Sequence, residues 1–153
     1  MDATNGLGPD ALDFWIGEWT VSWPGGTGSN QIRRILDDTV IEEVFECHGE
    51  DGSLYGRSHS VLDAADGIWK QTWVDSSGSY LDFSAVLVDG RISFQRRVPG
   101  EDDVLQRMVW LEVTDDGFRW EWQRSTDGGA TWQVTWPLRY ERRRQSPDSS
   151  ARP

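Results

Sequence analysis

With 153 residues, 37% of them hydrophobic, and ten tryptophans, the chain can build one domain around a core rich in large rings, which excludes a disordered polypeptide. The net charge of −11 is uneven, with 19 acidic and 7 basic residues up to Asp103 and 7 and 8 beyond it; such a surface repels phosphate backbones and anionic lipid, so neither nucleic acid nor bare membrane is an expected partner. Cys47 is alone, which excludes an internal disulfide, and no Cys/His spacing suits zinc.

In chain order, the opening MDATNGLGPD has neither the basic start nor the apolar run of a signal peptide, and the expected location is cytoplasmic. No run approaches the roughly 18 apolar residues of a membrane-spanning helix. Residues 9–16 are predicted as a short helix with Pro9 in its first turn. From Gly17 onward the chain reads as short runs of period-2 alternation. They are broken by PGGTG, LDD, GEDG, DAADG, DSSG, DG, PGEDD, DDG and DGG, which are hairpin-turn compositions. The predicted strands are 18–24, 29–36, 39–48, 54–63, 67–75, 79–88, 91–98, 104–114, 118–125 and 131–143.

The turns leave no room for the helical crossovers of a parallel sheet. Sequential antiparallel strands make either an open sandwich or a closed barrel, and closure removes exposed edges while needing only hairpins. The expected fold is therefore all-β: a single up-and-down antiparallel barrel of about 8–10 strands over residues 1–143, with a short N-terminal helix. Residues 144–153, containing SPDSSARP, have the composition of a disordered tail.

Two local patterns carry a family resemblance. Gly17-Glu18-Trp19, directly after the predicted helix, resembles the G-x-W signature of lipocalins and wider calycins. The resemblance implies that the tryptophan closes one barrel end beneath an arginine of the last strand, here Arg139 or Arg142. DFWIGEWTV, VIEE, GRSHSVLDAADGIWKQTWVDSSG and STDGGATW together resemble the DUF1579-like small bacterial calycin-type barrels, a group without one agreed activity. G-x-W followed by GTG also resembles nitrobindin, a haem barrel. That family uses a histidine late in the chain, whereas the histidines here are His48 and His59, so neither haem nor any other cofactor is expected. Ser125–Trp132, STDGGATW, matches the Asp-box of sialidase propellers. A lone box is read as a hairpin in which Asp127 binds turn amides and Trp132 packs beneath.

Polar residues on otherwise apolar strand faces are the informative ones. Trp69, Gln71 and Trp73 share a face, as do Phe118, Trp120, Trp122 and Arg124, and Trp132, Val134, Trp136, Leu138 and Tyr140. Ile92 and Phe94 bring Arg96, and Ile41, Phe45 and Cys47 bring Glu43. In 104–114 the more continuous face is Leu105, Val109, Leu111 and Val113, carrying Arg107; Met108 and Trp110 form the alternative. In 54–63 either Ser58 and Ser60, or Tyr55, Arg57, His59 and Val61, point inward. A β-bulge would reverse any assignment beyond it.

Buried charges must be paired or hydrated. Glu43, Arg96, Arg107 and Arg124 are thus either an internal ion network or a fork for a ligand carboxylate or enolate in an aromatic cavity. The function favoured is binding of a small hydrophobic molecule, aromatic or polyketide-like, with an acidic or carbonyl group. Trp69, Trp73, Trp120 and Trp122 would stack on it, Gln71 would orient it, and Arg96, Arg107 and Arg124 would hold its polar end. The alternatives are a cofactor-free cyclase, isomerase or dehydratase in which Glu43 or His59 moves a proton, and a filled structural barrel. No metal is expected, and the only macromolecular partner considered is a second copy in a homodimer.

Overall fold

The computed structural model describes residues 6–144 and is a closed antiparallel barrel. Its strands are Gly17–Trp23 (β1), Gly26–Ile35 (β2), Val40–Gly49 (β3), Gly52–Leu62 (β4), Trp69–Asp75 (β5), Tyr80–Val88 (β6), Arg91–Arg97 (β7), Leu105–Leu111 (β8), Gly117–Ser125 (β9) and Gln133–Arg142 (β10). Each strand pairs with its sequence neighbours, and β1 pairs with β10 to close the ring. The architecture is the up-and-down meander that the turn pattern predicts, consistent with a lipocalin-like barrel. No helix among the described residues is long and apolar enough to cross a membrane.

The expected helix over 9–16 is corrected. Turns lead into a three-residue 3-10 segment, Asp13–Trp15, that makes no longer helix because Ile16 is already extended. A barrel mouth is spanned by a plug rather than by a helix lying alongside, so a short segment bearing Leu12, Phe14 and Trp15 is enough. The expected tail lies outside the described residues except for Arg144, which is paired with Asp116.

The core fills one end of the barrel. Leu12, Trp15, Trp19, Trp69, Phe94, Trp110 and Phe118 are buried there. Trp15 meets Trp110 at 5.5 Å and Trp19 meets Phe118 at 4.8 Å, both edge to face, the arrangement that ring quadrupoles favour. The G-x-W expectation finds its arginine in Arg142, whose guanidinium stands 4.2 Å over the Trp19 ring, while Arg139 lies exposed beside Glu141. Arg142 Nη1 donates to the Ile16 carbonyl at 2.9 Å and Nε to the Asp115 carbonyl at 2.8 Å; Trp19 Nε1 donates to the Trp15 carbonyl at 2.9 Å. Gly17 makes the clasp fit. Its φ is +144°, and a Cβ there would stand 2.4 Å from Arg142 Nη1.

Two face assignments, on β8 and β10, are corrected, and the choice left open on β4 is settled. On β8, Met108 and Trp110 point inward, and the face carrying Leu105, Arg107 and Val109 points outward, because Met108 lies in register with Phe94 and Trp122. On β4, Gly56, Ser58 and Ser60 face the interior, and Tyr55, Arg57 and His59 face out. On β10, the register shifts between Val134 and Trp136, so Trp136, Leu138 and Tyr140 point inward while Trp132 and Val134 do not.

The outward Leu105 remains buried because the Asp-box turn between β9 and β10 folds back against it, Gly129 lying beside its side chain. Asp127 accepts from the Thr131 amide at 2.9 Å and from its hydroxyl at 2.5 Å, and Ser125 Oγ donates to it at 2.7 Å. These bonds hold its carboxyl down at about 2. The turn seats Trp132 against Arg107, whose guanidinium lies 3.9 Å over the ring.

Candidate functional site

Beyond the filled half, the barrel holds a cavity of about 300 Å³, open at the end opposite the Trp19–Arg142 clasp. Four tryptophans, Trp73 of β5, Trp120 and Trp122 of β9 and Trp136 of β10, form much of its wall with Phe45, Phe83 and Met108. They share the interior because alternation along each strand places 120 with 122, and the cross-strand register sets Trp136 beside Trp122. Trp23 stands edge-on to Trp136 at 5.4 Å. Trp73 Nε1 donates to Asp75 Oδ2 at 2.8 Å, and the same carboxylate accepts from Ser77 and Ser79, which fixes the ring. Opposite this ring there is only backbone: a Cβ on Gly56 would stand 2.2 Å from Trp73.

The cavity ends on a polar floor made by Glu43 and Tyr140, backed by Asn30 and Ser58. Glu43 Oε2 accepts from Asn30 Nδ2 at 2.7 Å and Oε1 from Ser58 Oγ at 2.7 Å. The side chain is 8% exposed, and no cation pairs with it among the described residues. Burial pushes its pKa above the usual carboxylate range, with the two hydrogen bonds pulling partly back. Asn30 Nδ2 also donates to the Tyr140 hydroxyl at 2.9 Å, so the phenol oxygen serves as acceptor in that bond. Burial first, and then the nearby Glu43 charge, push the Tyr140 phenol well above its ordinary value. Asn30 Oδ1 is buried without a partner among the described residues. Cys47 is buried on the same strand face as Glu43, its thiol pushed up by burial.

The structure brings together only part of the set expected from sequence. Glu43, Trp73, Trp120 and Trp122 line the cavity. Trp69 lies in the filled end, where its Nε1 donates to the Gly8 carbonyl at 2.9 Å. Gln71 is buried and bonded through Nε2 to Ser60 Oγ at 3.0 Å, outside the cavity wall. Arg107 is on the outer face, bonded to Gln123 at 2.7 Å. His59 is also outside, exposed, 3.4 Å from Glu42, a carboxylate that Arg33 already holds at 3.0 Å; it is not near Glu43's side of the sheet.

Arg96 and Arg124 occupy the rim. Both lie in register with Gln106, one on either side, and Gln106 lines the cavity. Arg96 Nη1 donates to Gln106 Oε1 at 2.6 Å, while Arg124 is exposed and makes no ion pair among the described residues. The rim thus carries two arginines together with the Asp75 carboxylate, and the floor is acidic.

Sequence reading missed Asn30, Ser58 and Tyr140 as a group. Tyr140 was on an apolar face and carried no polar flag. Asn30 interrupts an alternation with Ile32 in β2, which is the signal that would have found it. A wider groove of about 610 Å³ runs over the outer face between Glu18, Val44, Tyr55, Arg57 and Val74. It is lined by charged side chains such as Glu18, Glu46, Arg57 and Arg143, whereas the inner cavity has a wall of rings around a few convergent polar groups, the usual form of a small-molecule site. No protein-family model matches the chain, and no curated protein matches it at a significant level.

Proposed function

We propose that the protein binds a small, flat, largely apolar molecule, aromatic or polyketide-like, inside the barrel. Its ring system lies among Trp73, Trp120, Trp122 and Trp136, and a carbonyl or hydroxyl reaches the floor of Glu43 and Tyr140. An acidic group on such a ligand belongs at the rim beside Arg96 and Arg124, because at the floor it would meet the Glu43 carboxyl in a site with no cation. The observation that carries the reading is the division of the barrel: one half is packed solid with rings, while the other keeps an open, ring-walled cavity over a hydrogen-bonded polar floor. A purely structural barrel would have no need to leave aromatic surface unfilled. The Trp19–Arg142 clasp supports placing the chain among calycin-type barrels.

The test is a tryptophan-fluorescence titration with a naphthyl ketone, the matching alcohol and naphthoic acid. Four of the ten tryptophans face the cavity, so saturable quenching is expected, and Trp122→Ala should abolish most of it. Flat titrations across a broad set of flat apolar compounds would refute the reading.

A further inference from the structure

We infer that the cavity floor is a proton-transfer centre that enolises a bound ketone, with Glu43 as the base and the Tyr140 hydroxyl as the hydrogen-bond donor to the carbonyl oxygen. The inference rests on the binding reading above and names its substrate class: a flat, apolar ketone with an acidified C–H next to the carbonyl.

Both groups line the same cavity and are joined through one side chain, Asn30, whose Nδ2 donates to each. The hydroxyl of Tyr140 accepts that bond, and its own proton has no acceptor among the described residues. It is therefore available to an oxygen entering from the cavity. Glu43 accepts one bond on each carboxyl oxygen, from Asn30 and Ser58, which fits the ionised form and leaves a lone pair on each oxygen. With no cation beside it and burial opposing its charge, it is a stronger base than an ordinary carboxylate.

The step balances without any cofactor. A Glu43 oxygen takes the proton as the C–H bond breaks, and that electron pair becomes the new C=C. The carbonyl π pair moves onto oxygen, where the Tyr140 O–H stabilises it. Glu43 then either trades its proton with solvent through the open mouth and delivers a solvent proton to the same carbon, giving exchange, or delivers its proton to the far end of a conjugated system, giving a double-bond shift. The surrounding aromatic wall keeps water from competing for the developing charge.

The experiment uses β-tetralone in D₂O. Loss of its most acidic C–H signal is followed by proton NMR, and quenching of tryptophan fluorescence is measured on the same samples. The wild-type protein should speed exchange over buffer by on the order of 100-fold or more. Glu43→Gln should return it to near the buffer rate, and Tyr140→Phe should lose most of the acceleration, each compared at ketone concentrations that saturate its own quenching titration. The wild-type rate, less buffer, should rise with pH through an ionisation above the usual carboxylate range. The titratable groups around Glu43 are Tyr140 and Cys47, both pushed upward, with Asp75 at the mouth; Asn30 and Ser58 from β2 and β4 are neutral.

Quenching by the ketone with exchange at the buffer rate would overturn the inference and leave the binding reading standing. So would exchange in Glu43→Gln at the wild-type rate, or quenching by naphthoic acid alone. The absence of quenching by any flat compound would remove both. The pH profile requires only the wild-type protein, so a variant that fails to fold does not rescue the proposal.

Discussion

Replacing Trp19 by Ala separates stability from binding, because Trp19 belongs to the filled end of the barrel and does not line the cavity, meeting its floor only through the Tyr140 ring. Its side chain is fully buried, with rings of Phe118 at 4.8 Å and Tyr140 at 6.1 Å, the Arg142 guanidinium at 4.2 Å and an indole hydrogen bond of 2.9 Å to Trp15. A tryptophan buries roughly 200 Å², which at about 25 cal/mol per Å² amounts to about 5 kcal/mol of transfer free energy. Alanine recovers part of that, and the cavity left behind adds to the loss, so the expected cost is about 3–5 kcal/mol. For a domain of this size each kcal/mol moves Tm by about 2–4 °C, giving a drop on the order of 10 °C. Thermal unfolding followed by circular dichroism measures it, with Trp19→Phe as the milder companion expected to lose less. Binding of the naphthyl ketone, measured well below the transition, should be unchanged within about threefold. Unaltered Tm together with lost ketone binding would refute the division into a structural clasp and a ligand cavity.

Arg107→Ala should leave ketone binding intact, since Arg107 stacks on Trp132 outside the barrel, and a tenfold weakening would show that the inward face of β8 is misplaced. Asp127→Asn should lower Tm at neutral pH. The Asp127 carboxyl is held down at about 2 from an ordinary 3.8, so its contribution is present above about 4 and is lost as pH falls toward 2. The Tm gap between wild type and variant should close across that window, and a gap constant with pH would contradict it. Glu43 behaves oppositely, because its folded pKa is raised: the wild type gains proton-linked stability below the unfolded value and loses it as pH rises through the folded one. Relative to Glu43→Gln, the wild type should therefore weaken on raising pH through that ionisation, as read from paired urea denaturation curves.

The turns and the period-2 runs made the barrel legible in the sequence, because an up-and-down sheet needs little more than hairpins in series. The same alternation put Glu43, Trp73, Trp120 and Trp122 on the inner face, where the structure has them. Trp132 went astray because a single extra residue near Thr135 changes the phase of β10, and composition does not register it. Arg107 went astray for a different reason. Its face of β8 is apolar, but at Leu105 and Arg107 the cover comes from Gly129 and Trp132 of the Asp-box turn on the outside, not from the barrel interior. An apolar face records that something covers it, not which side of the sheet the cover lies on.

β4 is the converse case, and it explains how Trp73 and Glu43 fit into the cavity wall. Its outer face carries the larger side chains Tyr55, Arg57 and His59, while its inner face is Gly56, Ser58 and Ser60. Read for hydrophobicity alone, either face could have been the core. The sizes become intelligible once the opposing residues are known: Trp73 lies so close to Gly56 that a Cβ there would stand 2.2 Å away, and Ser58 must be short to donate to Glu43 at 2.7 Å. Small residues on this strand make room for a large ring and a buried carboxyl at once. Enlarging Ser58 to Val would remove a hydrogen bond from Glu43 and push a methyl toward the floor, closing the site without touching a tryptophan. The positions of the Trp73 ring and the Glu43 carboxyl in the cavity wall are thus set as much by what β4 lacks as by what β3 and β5 supply.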